Sequence, residues 1–113
     1  MKDFLLIFRS EYYQNPISTP EEMEANMKRW MDWLSSLAQQ GHLTDQGNRL
    51  DRDGRVLKPE NVVTNGPYSE IKEAIGGYSI IKAASYDEAV ELSKGCPIFM
   101  VGGNVEVRGI LAM

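Results

Sequence analysis

The fold is decided by a five-residue apolar run near the N-terminus, Phe4-Leu5-Leu6-Ile7-Phe8. An apolar run of this length without polar alternation is typical of a β-strand that is covered on both faces. Because side chains alternate along a strand, the residues at positions 4, 6 and 8 share one face and those at 5 and 7 share the other. The sequence therefore predicts a sheet with two apolar faces, and each face needs a cover.

A long helix is predicted after this strand. Thr19 and Glu22 form a capping box with Pro20 at the first helical position, and Gly41 is the predicted end of the helix. Apolar residues recur in between at spacings of three and four, which predicts one stripe packed in the core, with lining of a pocket by aromatic and thioether groups at the edge of the stripe as the alternative. This stripe consists of Met23, Met27, Trp30, Met31, Leu34, Leu37 and Ala38.

Turn residues punctuate the middle of the chain. Between residues 42 and 57 they predict a short strand, a hairpin around Asp53-Gly54 and a second strand. Residues 62–64 are apolar or β-branched and lead into Asn65-Gly66-Pro67, where glycine and proline predict a turn. Residues 77–83 then mark another strand, in which Ile80 and Ile81 again point to opposite faces.

The C-terminal third contains a second, shorter helix and the last strand. Ser85 and Glu88 form another capping box, and the helix that they open is predicted to run through Lys94 before Gly95-Cys96-Pro97 ends it. The last strand is predicted from alternating apolar residues, namely Val105, Val107 and Leu111.

The predicted order is strand, helix, two or three strands, helix, strand, within one domain over residues 1–113. This order resembles the ferredoxin-like split βαβ arrangement, an α+β fold with an antiparallel sheet and two helices on one face. About three large apolar side chains left in water on the other face would forfeit roughly 5 to 9 kcal/mol, which is comparable to the whole stability of a small domain. We therefore predict a homodimer through this second face.

Composition restricts the partners and the location. The 113 residues carry a net charge of -4, which argues against nucleic acid because phosphates would be repelled. One cysteine, Cys96, and one histidine, His42, offer no metal-ligand spacing, and the cysteine is predicted to be a structural thiol. With no disulfide and no apolar segment long enough for a membrane, a cytoplasmic location is expected, and no cofactor is called for.

The turn and charged residues of the second half resemble the YCII-related family, specifically its branch named for an Asp-Gly-Pro-Phe (DGPF) motif. The motif stands here as Asn65-Gly66-Pro67-Tyr68, so asparagine replaces the aspartate and tyrosine the phenylalanine. The resemblance covers nearly the whole chain and implies a dimeric α+β barrel with a poorly defined role. The other matching residues are Glu70, Lys72, Glu73, Gly77-Tyr78, Glu88-Ala89, Cys96-Pro97 and Glu106-Val107-Arg108.

Three residues are candidates for proton transfer, namely His42, Tyr68 and Glu70. A branch of the family with shorter chains carries a histidine on its first helix paired with an aspartate, but residues 21–40 of this chain contain no histidine. His42 follows the predicted helix end, where a lone histidine is usually a capping or surface residue, and Glu70 most simply belongs to a solvated charged connection. The resemblance therefore leaves open whether the protein is an enzyme.

The expected function is binding of a small, partly apolar molecule in the cleft between the sheet and the first helix, with or without proton-transfer chemistry on it. The alternative is a non-catalytic regulatory protein-interaction module. Three of the ligand candidates have a purely structural explanation as well: an internal ion pair with Glu106 for the arginine, core packing for the tryptophan, and a turn for the asparagine. The ligand-binding candidates are Arg9, Trp30, Asn65, Tyr68 and Tyr78.

Overall fold

A computed structural model describes residues 1–10, 19–66 and 74–112. It shows an α+β fold with an antiparallel sheet and two helices, consistent with the predicted ferredoxin-like arrangement. Neither of these helices has the length and the apolarity that a bilayer crossing demands. In chain order the elements are β1 (Lys2–Ser10), α1 (Pro20–Gln39), β2 (Leu43–Arg49), β3 (Arg55–Lys58), β4 (Val62–Asn65), β5 (Ala74–Ala83), α2 (Tyr86–Ser93) and β6 (Asn104–Gly109).

The main sheet has the strand order β2-β5-β1-β6, and every neighbouring pair is antiparallel. The apolar run of β1 lies at the centre of this sheet, between β5 and β6. Phe4, Leu6 and Phe8 are buried on the face that packs against the helices, whereas Leu5 and Ile7 on the other face are only half-buried. The alternation predicted from the sequence is therefore confirmed, and the second face is only partly covered by the described residues.

The core forms where the two helices meet the first sheet face. Trp33 bridges the helices, since its indole Nε1 donates to the carbonyl oxygen of Leu92 at 3.2 Å. Burying an indole with its N–H satisfied retains the apolar gain without a desolvation cost. The buried apolar residues of this cluster are Phe4, Leu6, Phe8, Trp33, Leu34, Leu37, Ile81, Ala83, Ala89, Cys96 and Ile98.

Both predicted helix starts are confirmed by their caps. The Thr19 hydroxyl accepts a hydrogen bond from the Glu22 amide, and the Ser85 hydroxyl accepts one from the Glu88 amide, each at 3.2 Å. These bonds satisfy N–H groups that have no partner inside a helix. At the other end of α1, Gly41 adopts a φ of +78°, the left-handed conformation that typically ends a helix at glycine.

The prediction that the methionines of α1 lie in the core is wrong. Met23, Met27 and Met31 are 51%, 59% and 48% exposed. The buried residues of α1 are Trp33, Leu34 and Leu37, whereas the three methionines border a groove instead of packing on the sheet. The helix therefore has the predicted apolar stripe, but only part of this stripe packs against the rest of the described protein.

The predicted hairpin around Asp53-Gly54 is also wrong. Strand β2 joins β5 in the main sheet, while β3 and β4 pair only with each other, so no turn connects β2 to β3 as a hairpin. The aspartates instead shape the connection locally, with the Asp51 side chain accepting from the Asp53 amide at 3.1 Å. The chain instead forms a hairpin between β3 and β4, and it reverses direction at Pro59–Asn61, where Glu60 and Asn61 have positive φ.

The last strand is shorter than predicted. It ends at Gly109, and Leu111 lies beyond it, 87% exposed. The register explains this end, because Gly109 pairs with Phe4 near the start of β1, so little of the partner strand remains to pair with later residues. The Ile110 amide makes one further bond to the Asp3 carbonyl oxygen at 3.0 Å.

Candidate functional site

A groove of about 570 Å³ lies between residues 23–34 of α1 and the edge of the sheet formed by β2 and β5. This volume is within the usual range of small-molecule sites, about 300 to 1,000 Å³. Its walls come from β1, α1, β2, β5 and the segment that follows β2. The described lining residues are Phe8, Met23, Asn26, Met27, Trp30, Met31, Leu34, Gln46, Gly47, Asn48, Arg49, Arg52, Gly76, Gly77, Tyr78 and Ser79.

One wall of the groove is aromatic. The ring of Trp30 packs edge-to-face on Phe8, with ring centroids 4.8 Å apart, and on Trp33 at 5.8 Å. Edge-to-face pairs of this kind hold each ring in a fixed orientation. Trp30 remains half-buried, so it offers a rigid apolar surface to whatever occupies the groove.

The floor of the groove is nearly free of side chains. Gly77 pairs with Phe8 on one side and with Arg49 on the other, so these three residues form a row across β1, β5 and β2. A Cβ at Gly77 would come within 2.8 Å of the Asn48 carbonyl oxygen. The glycine therefore permits close strand packing and leaves an open path from the aromatic wall to the arginine.

A bulge in β2 shapes the edge of the groove. The register with β5 is irregular between Asp45 and Asn48, and Gly47 within this stretch has a φ of +74°. The bulge is fixed by two hydrogen bonds, from the Gly47 amide to the Asp45 carboxylate at 2.8 Å and from the Ser79 hydroxyl to the Gln46 carbonyl oxygen at 2.7 Å. It brings the Gly47 backbone directly against Tyr78.

The charged side chains in the described lining of the groove have one sign. Its described lining includes two arginines, Arg49 and Arg52, and no aspartate or glutamate. This contrasts with the whole chain, in which 16 acidic residues outnumber 12 basic ones. The groove is thus apolar at the aromatic wall and locally positive along β2 and the segment that follows it.

The YCII-related domain matches residues 5–113 of the chain. The chain belongs to the YCII-related family. No curated protein matches it. Membership in this family fits a small α+β protein of poorly defined function, and the fold described above agrees with it.

Two of the ligand-binding residues predicted for this YCII-related protein line the groove, Trp30 and Tyr78. Tyr78 lies opposite Ile7 in the register, so its ring belongs to the second sheet face while its backbone borders the groove. Its hydroxyl accepts from the Asn48 side-chain amide at 3.4 Å. Asn65 is not among the lining residues, because it ends β4 in the separate two-stranded sheet.

Arg9 forms the internal ion pair that the sequence suggested. Its guanidinium donates to Glu106 at 3.2 Å, and Arg108 contacts the other oxygen of the same carboxylate at 3.2 Å. The Arg108 hydrogen bond, with the added effect of Arg9, lowers the pKa of Glu106. By the strand register these groups lie beside Ile7 on the second sheet face, away from the groove.

The described residues do not place the proton-transfer candidates in the groove. His42 lies between α1 and β2, with its Nδ1 2.8 Å from the Lys82 carbonyl oxygen, and is not part of the groove lining. Tyr68 and Glu70 lie outside the described residues, as do Pro67, Lys72 and Glu73. Within the described parts of the chain, no cluster of three or more histidine, cysteine, aspartate or glutamate residues could hold a metal ion.

Sequence reasoning missed the polar side of the groove. Arg49 and Arg52 stand three residues apart in a stretch rich in turn residues, which gave no sign that they would face α1. Gly47 carried a usable signal, because an isolated glycine within a strand often marks a bulge or a close backbone contact. Only the pairing of β2 with β5 brings these residues to the first helix.

Cys96 is buried, and burial raises its pKa to about 12. Iodoacetamide at pH 8 is therefore expected to label the native protein at least about 100-fold more slowly than the unfolded chain. The preference of the buried site for the neutral thiol contributes its full stabilisation below the pKa of the unfolded chain, about 8.5. This contribution is lost as the pH rises from there towards the raised pKa of the folded protein. Mass spectrometry of timed samples measures the rate, and equal rates with and without denaturant would contradict a buried structural thiol.

Proposed function

We propose that this protein binds a small, partly apolar molecule in the groove between α1 and the β2–β5 edge, and that it does so as a homodimer. The binding proposal is supported chiefly by the groove itself, which has a rigid aromatic wall and exposed methionines at its rim. Large exposed apolar side chains that border a concave surface are typical of binding sites.

The methionines suit the binding of ligands that differ in shape. Met23, Met27 and Met31 are four residues apart on α1, so they form one row along the helix. Methionine is unbranched and polarisable, and it therefore adapts to different apolar surfaces at little cost. Combined with the fixed ring of Trp30, this row gives the groove one rigid wall and one adaptable wall.

The homodimer proposal rests on the second sheet face. Leu5, Ile7 and Ile80 are half-buried there and belong to the two central strands of the sheet. This surface also carries both signs of charge, with Glu106 between two arginines on one side. A two-fold axis places each patch against its own copy, so a face with an apolar centre and mixed charges is self-complementary.

Packing two such faces together would give the dimeric α+β barrel to which the resemblance pointed. We further propose that the chain belongs to the DGPF branch of the family, on the strength of Asn65-Gly66 and the residues that follow. The cytoplasm is the proposed location, since the only cysteine in the chain is a buried thiol. Proton transfer by His42, Tyr68 or Glu70 stays a prediction.

Nile red, a neutral dye that fluoresces in apolar surroundings, tests the groove. We expect saturable binding at one dye per chain, and at least a tenfold weaker affinity for Met27→Lys because a charge would stand in the apolar wall. The matched control is Val90→Lys, which changes an exposed apolar residue of α2 outside the groove. Equal affinities for the two variants would contradict binding in the groove, and so would the absence of saturable binding by the unmodified protein.

The regulatory interaction module remains a second candidate because of the β3–β4 hairpin. Leu57 and Val63 face each other across it and are 68% and 58% exposed. A two-stranded hairpin is marginally stable alone, so such a surface fits contact with another protein. Two results together would favour the interaction module over the ligand-binding function. Nile red would not bind, and Leu57→Lys, but not Met27→Lys, would abolish binding of a stoichiometric protein partner.

A further inference from the structure

We propose that the ligand of the groove is a small organic anion with an apolar chain or ring, and that Arg49 binds its anionic head. This inference rests on the proposed function, since it specifies the class of molecule that the same groove would take.

The position of Arg49 fits an amphipathic molecule. In the row Phe8, Gly77, Arg49, the aromatic end and the charged end are separated by two strand spacings, or about 10 Å. Gly77 places no side chain between them. An apolar group resting on Trp30 and Phe8 can therefore extend over the glycine floor and present its polar end to the guanidinium.

Arg49 differs from the arginines that have structural roles. Arg9, Arg55 and Arg108 each form an ion pair with a carboxylate at 3.2 Å or less. Arg49 forms none with any residue in the ranges that the structure describes. Its planar guanidinium thus keeps its paired N–H donors for an external oxyanion, which a carboxylate can accept in a bidentate manner.

The rest of the lining favours an anion over a cation. Apart from the two arginines, the polar side chains of the described lining are neutral, such as those of Asn26 and Gln46. A bound cation would find no described carboxylate there and would be repelled by the Arg49 guanidinium. An anion would be attracted, and neutral amides can donate further hydrogen bonds to it.

The test compares decanoate with 1-decanol, which share an apolar chain and differ in the charge of the head. Both compounds are titrated against the protein at concentrations below those at which the compounds aggregate, with displacement of Nile red as the readout. We expect decanoate to bind about tenfold more tightly than decanol, as a charge-assisted hydrogen bond at an open site allows. Raising the ionic strength should weaken decanoate binding and leave decanol binding unchanged.

The decisive variant is Arg49→Gln, with Arg29→Gln as its control. Both remove one positive charge from an exposed position, but Arg29 lies on α1 outside the groove lining. Arg49→Gln should reduce the preference for decanoate to about one while decanol still binds, and Arg29→Gln should keep the preference near tenfold. Thermal melts of both variants check that each is folded.

The outcomes separate this inference from the proposed function. Equal binding of decanoate and decanol to the unmodified protein would overturn the anion inference and leave the apolar groove standing. A preference for decanoate that survives Arg49→Gln would overturn the role of Arg49. If the dye binds but neither compound displaces it, the inference fails and the groove remains a binding site, whereas absence of dye binding sinks the proposed function together with the inference.

Discussion

Replacing Ile7 with lysine is expected to convert the protein from a dimer into a monomer. Ile7 lies in the middle of β1 on the second sheet face and is only half-buried within its own chain. A two-fold interface would bury both copies of the new charge, and each is expected to cost about 2 kcal/mol or more. In the single chain the lysine would stand opposite Glu106, so the fold itself should tolerate it.

Sedimentation equilibrium at micromolar concentration measures this change as a fall from the mass of two chains to that of one. Val90→Lys is the control, because Val90 is an exposed apolar residue on α2, which packs against the opposite face of the sheet. It should stay dimeric. A monomeric mass for the unmodified protein, or an unchanged dimer for Ile7→Lys, would contradict an interface on this face.

Gly47→Ala is expected to be the most damaging small substitution in the described part of the chain. A Cβ at Gly47 would overlap the carbonyl oxygen of Tyr78, and its φ of +74° is unfavourable for alanine as well. Because the obstacle is backbone, β2 must move away from β5, and the expected loss is about 3 kcal/mol or more. The groove loses the edge that the bulge forms, so Nile red binding should weaken too.

Gly41→Ala separates the steric overlap from the cost of the left-handed backbone. Gly41 has a φ of +78°, nearly the same as Gly47, but nothing lies within 4 Å of its Cβ position. This variant should lose about 1 kcal/mol from the left-handed backbone alone and keep its dye binding. Urea unfolding of both variants gives the two free energies, and similar losses would show that the β2 bulge does not approach Tyr78 as described.

The sequence was sufficient to predict those elements that short-range patterns determine. The two-sided strand at Phe4–Phe8 and the caps at Thr19 and Ser85 are set by short-range patterns, and the structure has all three. The groove was predicted only as a cleft between sheet and first helix. Its chemistry depends on which strand borders β5, and nothing within residues 43–49 indicates that partner.

Two errors have the same physical origin. The Met23, Met27 and Met31 stripe has the period of a core-facing helix, but periodicity cannot tell a packed surface from one that overhangs a groove. Asp53-Gly54 is a common hairpin signal, but the same residues serve equally in a loop between two sheets. In both cases tertiary pairing, which lies beyond the reach of a local pattern, decides the outcome.

The most direct test of a ligand site between α1 and the sheet uses the methionines themselves. In protein labelled with ¹³C at its methionine methyl groups, decanoate should shift the signals of Met23, Met27 and Met31. Met1 and Met100 are also exposed but lie outside the groove lining, so their signals should stay in place and serve as internal controls. Shifts confined to Met1 or Met100, or no shifts at saturating decanoate, would contradict binding in the groove.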